Sequence, residues 1–289
     1  MKAFRFFLAL ALSCIVIAPA HAESKTIWNS QTRIVGMMTI PVGQTVTVAA
    51  KAAPKIAPGS QIIVNGTLLA PNGLTLVGKN WGGLIVNGSA QLSSFSESGA
   101  KVSFRVATGG KLIVNGGAIS GVAGASVVEG TFIADQLKYN KGEGGGINSY
   151  SGTGDITINN SSLTGAGRSS GDFFGLSGVK SITLTNSTMT GAHCAFHVTG
   201  VQNMKLDSVQ IHDNAFGFMM YGSSGAGSRT ITNTTITNND FGFDEGSAAT
   251  KNGAITITHS FIKKNGKDLG LYTGNVSVTE PLLADPFVK

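Results

Sequence analysis

Two acidic residues stand at matching places beside short apolar–glycine–apolar phrases. Asp240 lies two residues before Gly242 in Phe241-Gly242-Phe243, and Asp268 lies two before Gly270 in Leu269-Gly270-Leu271. If those phrases are strands on adjacent layers of one stack, the carboxylates face each other at about 5 Å, the inter-strand spacing. Two carboxylates that close hold a cation such as calcium, or raise one partner's proton affinity. The separation is also near that of a retaining glycosidase. Asp240 and Asp268 are therefore the catalytic candidates that spacing offers, and calcium is the one cofactor it would admit. Stacked, exposed acids with neither role are the plain alternative. No other metal site is expected. His193 and His197 flank Cys194-Ala195-Phe196. Four extended residues separate them by about 13 Å, which excludes joint ligation of one ion. His193 would stand two layers from Asp240, about 10 Å, too far to orient it. Tyr221, Lys205 and Arg229 are of a type to serve a lyase, but nothing in their spacing selects them.

The same phrase recurs as Phe174-Gly175-Leu176, Cys194-Ala195-Phe196 and Phe216-Gly217-Phe218. Strand alternation turns the bulky residues inward and leaves Gly175, Ala195, Gly217, Gly242 and Gly270 as a bare outward column. Phe173, His193, Ala215, Asp240 and Asp268 precede it; Ser177, His197, Met219, Asp244 and Tyr272 follow it. The three middle copies share one offset, whereas the first and last align only with insertions. A flat floor between polar and aromatic walls suits a sugar chain. The expected binding set is His193, His197, Gly217, Gly242, Asp240, Asp244 and Tyr272. The alternative is that small residues relieve crowding beneath a loop packed on that sheet.

What must position these residues is a repeat. Ile156-Thr-Ile158-Asn-Asn-Ser-Ser-Leu163 returns as Ile182-Thr-Leu184-Thr-Asn-Ser-Thr-Met189, as Met204-Lys-Leu206-Asp-Ser-Val-Gln-Ile211 and as Ile255-Thr-Ile257-Thr-His-Ser-Phe-Ile262. A variant, Thr230-Ile231-Thr-Asn-Thr-Thr-Ile236, carries Arg229 in its first slot. The second anchors Ile158, Leu184, Leu206, Ile231, Ile257 and Val278 are spaced by 26, 22, 25, 26 and 21 residues. A strand-and-turn repeat of that length is one coil of a solenoid. Asn214, Asn239 and Asn265 share a repeat position and predict a stacked amide ladder. Asn160, Asn186 and Asn233, with Ser208 and His259, share a turn position. Val-Asn-Gly at 64–66, 86–88 and 114–116 marks turns farther upstream. Lys138 to Ser149, with its Gly-Gly-Gly, reads as a loop between coils, and the prolines after Glu280 would stop further strand addition.

The pattern over about residues 34–280 resembles the right-handed parallel β-helix superfamily, the pectate-lyase-like solenoids. The resemblance implies an all-β, single-domain rod over 23–289, of roughly 9–11 coils stacked about 4.8 Å apart. It implies no catalytic residue, because the superfamily's enzyme signatures are missing. There is no Trp-Ile-Asp-His and no Arg-Ile-Lys, and Asp285-Pro286-Phe287 does not complete an Asp-Pro-His-Asp.

Residues 1–22 read as an export leader, with Lys2 and Arg5 before an apolar run and Ala20-His21-Ala22 at the cleavage site. No later stretch is long and apolar enough to predict a membrane span. Removing Lys2 and Arg5 lowers the formal charge from +6 to +4, and the basic residues are scattered, so no nucleic-acid footprint is expected. Of the two cysteines, Cys14 lies in the leader and Cys194 has no partner for an internal disulfide. The function expected is an exported, periplasmic, cell-surface or secreted polysaccharide-binding protein without a firm catalytic signature. A lyase, epimerase or hydrolase in the same groove, and a structural or adhesive rod for protein partners, are the alternatives.

Overall fold

The computed structural model describes residues 25–221, 227–245, 255–270, 276–282 and 284–287. Residues 1–24, which hold the expected leader and Cys14, lie outside them, as does Tyr272. The described residues form strands and turns without helix, so none of their elements is a helix long and apolar enough to cross a membrane. Every named strand pairing is parallel, gathered into one eighteen-stranded and one eleven-stranded sheet with a two-stranded remnant near the start. The chain is a parallel solenoid of about eleven coils.

Its interior consists of stacked columns. Ile158, Leu184, Leu206, Ile231, Ile257 and Val278 are consecutive partners, as the repeat requires. A second column runs Leu163, Met189, Ile211, Ile236, Ile262. On the eleven-stranded sheet Phe174, Phe196, Phe218 and Phe243 stack with ring centroids 5.1, 4.6 and 5.2 Å apart. Each such side chain removed from water contributes about 1.5–3 kcal/mol before entropy is counted. Two interior positions break the apolar rule. Arg229 fills its repeat slot between Met204 and Ile255, buried, with Nε 2.9 Å and Nη2 2.6 Å from the Val201 carbonyl. Glu97 stands between Leu76 and Ile119.

The corners follow the turn chemistry of the repeat. Asn160, Asn186, Ser208, Asn233 and His259 all adopt φ between 46° and 58°, the left-handed conformation Asn tolerates best. Ser94 and Gln136 take it at the same corner of earlier coils, where the sequence gives no Asn signal. The asparagine ladder forms: Asn214 Nδ2 and backbone N–H donate to Asn239 Oδ1 at 3.0 Å, and Asn239 does the same to Asn265. A second, hydroxyl ladder lies beside it, with Ser161 N–H donating to Ser187 Oγ and Thr234 N–H to Ser260 Oγ.

One expectation is corrected. Lys138–Lys141 belongs to the strand Thr131–Lys141, and Ile147–Ser149 is a strand of the eleven-stranded sheet. Only 142–146 connects them. The Lys141 ammonium turns back to donate to the Gly144 carbonyl at 2.8 Å, so a buried cation anchors the glycine-rich turn.

Candidate functional site

The strands Ile147–Ser149, Phe174–Leu176, Cys194–Val198, Phe216–Met220, Phe241–Glu245 and Lys267–Gly270 lie side by side in the eleven-stranded sheet. Their pairing places one outward row along the rod: Asn148, Gly175, His197, Met219, Asp244, Gly270. The middle three match the expected wall. The ends differ by two residues, because Gly175 pairs with His197 rather than aligning with Ala195, and Gly270 pairs with Asp244.

That shift separates the proposed acid pair. Phe241 pairs with Lys267, so Asp240 falls level with Gly266 and Asp268 with Gly242. Asp268 instead ends the asparagine ladder, its Oδ1 accepting from Asn265 N–H at 3.0 Å and from Asn265 Nδ2 at 3.1 Å. Asp240 binds the Arg168 guanidinium, which also donates to the Asn238 carbonyl at 2.7 Å. The register that would set the two acids side by side, the condition for a calcium site there, is therefore not the one formed. Neighbouring hydrogen bonds on each carboxylate explain the separation, since each is drawn to a different donor.

The glycine floor is also corrected. A Cβ on Gly217 would meet Ile236 Cγ2 at 2.9 Å and the Gly242 carbonyl at 2.5 Å; one on Gly242 would meet Asn265 Nδ2 at 2.7 Å. Gly217 and Gly242 are vertical neighbours, but they face the ladder inside the coil. The reason is a step in the alternation. Ala195 and Phe196 are consecutive and both fully buried, and Gly217 and Phe218 repeat the step one coil on. Residues 194 and 197, three apart, thereby share the outer face. Phe216 and Phe241 lie stacked and half-buried at the position of Cys194.

The step assembles a cluster that strict period-two reasoning forbids. Asp172, in the connection before Phe174, accepts from or faces both imidazoles: His193 Nδ1 at 3.2 Å from Oδ1 and His197 Nδ1 at 2.8 Å from Oδ2. His193 sits in a bend before its strand, not in an extended segment, so the 13 Å separation does not hold. Cys194 Sγ lies 3.4 Å from His193 Nδ1 and 3.9 Å from Met219 Sδ. Burial works to raise the Asp172 pKa, but hydrogen bonds from His197, Cys194 and His193 prevail and hold it at about 2. The His197 imidazole is correspondingly raised by its bond to Asp172, against the opposing effect of burial. Burial first, then the Asp172 charge, pushes the Cys194 thiol well up. Asp244, farther along the row, is raised by burial and lowered by Lys267.

Beside this cluster is an open depression of about 240 Å³, lined among others by Asn148, Tyr150, Asp172, Gly175, Ser177 and His197. The Asn148 amide donates to the Tyr150 hydroxyl and lies over Gly175, where a Cβ would meet its Oδ1 at 2.4 Å. Tyr150 is exposed, and the Tyr221 ring lies 5.5 Å from that of His197. Sequence reasoning missed Asp172 and Tyr150, which fall in connections outside the strands, and Asn148, whose strand Ile147–Ser149 was read as part of a loop. The glycine after Phe174 was the available signal for the depression. Of the lyase-type groups, Tyr221 borders the row, Arg229 is interior, and Lys205 pairs between Thr183 and Thr230 on the other sheet.

No match was found among curated proteins or among solved structures. A family model described as the right handed beta helix region matches residues 113–280, over half the chain and the span that holds every residue of the cluster. The stacked parallel coils and that match agree: the chain belongs to the right-handed beta helix family.

Proposed function

We propose that this chain is an exported polysaccharide-binding protein whose glycan lies along the outward row of the eleven-stranded sheet. The observation that carries the reading is the depression at Gly175, where exposed Tyr150 and Tyr221 rings stand near the polar groups of Asn148, Asp172 and His197. Sugars present apolar ring faces and hydroxyl edges together, so a site for them combines aromatic surface with hydrogen-bonding groups. The row continues to Asp244, giving a linear ligand several coils to follow. Export rests on the leader pattern of residues 1–22.

A glycan array identifies the ligand, and Tyr150→Ala and Tyr221→Ala test the place. Each substitution lowers affinity roughly tenfold, the scale of one lost aromatic contact. Absence of any bound glycan, or binding unchanged in both variants, contradicts the reading. The enzymatic alternative has one observation of its own: Asp172 orients His197 through Nδ1, and Nε2 has no hydrogen bond to any described residue. That arrangement suits acid–base chemistry. Release of unsaturated uronate or new reducing ends, lost in His197→Gln, would establish it over simple binding.

A further inference from the structure

We propose that Asp172, Cys194 and His197, with His193 and the Met219 thioether at the edge, form a binding site for a first-row transition-metal ion of the zinc type. The site shares Asp172 and His197 with the glycan reading, but its test needs no glycan. Ligand atoms of Asp172, Cys194 and His197 all lie within 4.8 Å of one another. Tetrahedral bonds of about 2.0–2.3 Å place donor atoms roughly 3.3–3.8 Å apart. The pairs measure 3.4 Å for Cys194 Sγ to His193 Nδ1, 3.2 Å for His193 Nδ1 to Asp172 Oδ1, and 3.9 Å for Cys194 Sγ to Met219 Sδ. The His197 Nδ1 to Asp172 Oδ2 pair, at 2.8 Å, has only to open by about half an ångström. Three donors already within 4.8 Å of one another lose little conformational freedom on ligation, which favours binding.

Donor chemistry selects the ion class. Thiolate and imidazole together exclude calcium and magnesium, which take oxygen ligands, and suit zinc, cobalt or copper. Cys194 is fully buried, so the sulfur is shielded at the back of the site, while His193, His197 and Asp172 are partly exposed and open the front to the groove. The carboxylate reaches both imidazoles, so it can ligate the ion directly or fix the rings that do. On ligation the thiol gives its proton to solvent, and the metal–sulfur bond replaces the S–H.

The test uses the full chain carrying Cys14→Ser, which leaves Cys194 as the sole thiol. Cobalt(II) is titrated in and displaced by zinc. The expected result is one equivalent of cobalt with thiolate-to-metal charge-transfer absorption. Cys194→Ser removes that absorption, and His197→Gln and Met219→Leu lower affinity, His197→Gln the more of the two because it removes a direct ligand. Circular dichroism on each variant confirms the β-rich fold, and Met219→Leu, which conserves volume, remains informative should Cys194→Ser fold poorly. Cobalt binding without the charge-transfer band, binding that survives in His197→Gln at unchanged affinity, or no binding overturns the proposal.

Discussion

Asp172 is the residue on which the outer cluster turns, and its pH behaviour follows from its partners. Its folded pKa is depressed to about 2, so its contribution is present above pH 3.8 and is lost as pH falls toward 2. His197 is raised, so its side of the pairing is present below pH 6.5 and fades as pH climbs through the higher folded value. The stability gap between wild type and Asp172→Asn is therefore largest near pH 5 and shrinks at both extremes; thermal unfolding across pH 2–9 measures it. A gap that grows steadily with alkalinity contradicts the pairing. Glu97 shows the opposite sign. Burial among Leu76 and Ile119 pushes it up to about 7, with Ser103, the Ala100 amide and Trp81 pulling the other way, yet neither carboxyl oxygen makes a well-formed hydrogen bond. A carboxyl raised from 4.5 to about 7 costs about 3 kcal/mol once ionised, at roughly 1.4 kcal/mol per unit. Glu97→Gln stabilises the fold at pH 8 relative to wild type and much less at pH 5. Equal effects at both values would rule out a buried, ionising Glu97.

At the scale of elements, the asparagine ladder and the glycines beneath it are one device. Asn239 donates to Asn265 Oδ1 and to the Ile211 and Thr237 carbonyls, and accepts from Asn214. Asn239→Ala leaves buried groups on both neighbouring coils unsatisfied and costs about 2–4 kcal/mol in denaturant unfolding. A cost under about 0.5 kcal/mol, the range of surface changes, removes the ladder from the account. Gly217 closes against the Gly242 carbonyl, a backbone atom that no rotamer change can move aside. Gly217→Ala therefore destabilises the fold itself, whereas a solvent-facing floor would tolerate it. Ladder and corner residues were readable because each coil repeats them: Asn214, Asn239 and Asn265 keep one offset, and Asn160, Asn186 and Asn233 another. The outer face was not, because Ala195-Phe196 departs from period two, and alternation alone sends Cys194 inward. Arg168 and Asp240, 72 residues apart, meet through an irregular connection that no periodicity describes.

Over the whole molecule, stability is distributed coil by coil, each contacting its neighbours, so the ends are its vulnerable edges. Leu282 N–H donates to the Ser260 carbonyl at 3.1 Å, and Pro281 and Leu282 pack near Ile262 and Leu269. Deleting residues 281–289 uncovers that edge and produces concentration-dependent association in sedimentation; a monomer at all concentrations would show the edge protected by other means. The anchors from Ile158 to Val278 disclosed the rod, while which side chains meet in its groove depended on two-residue shifts at the first and last of the site's coils. Ligand binding by this rod therefore depends on the outer row. Its most direct test is a titration of array-selected glycan into chain with isotope-labelled histidine, read by imidazole resonances. The expected result is that His193 and His197 signals move while those of His212 and His259 stay in place. Movement of His212 or His259 alone, or of no histidine, contradicts it.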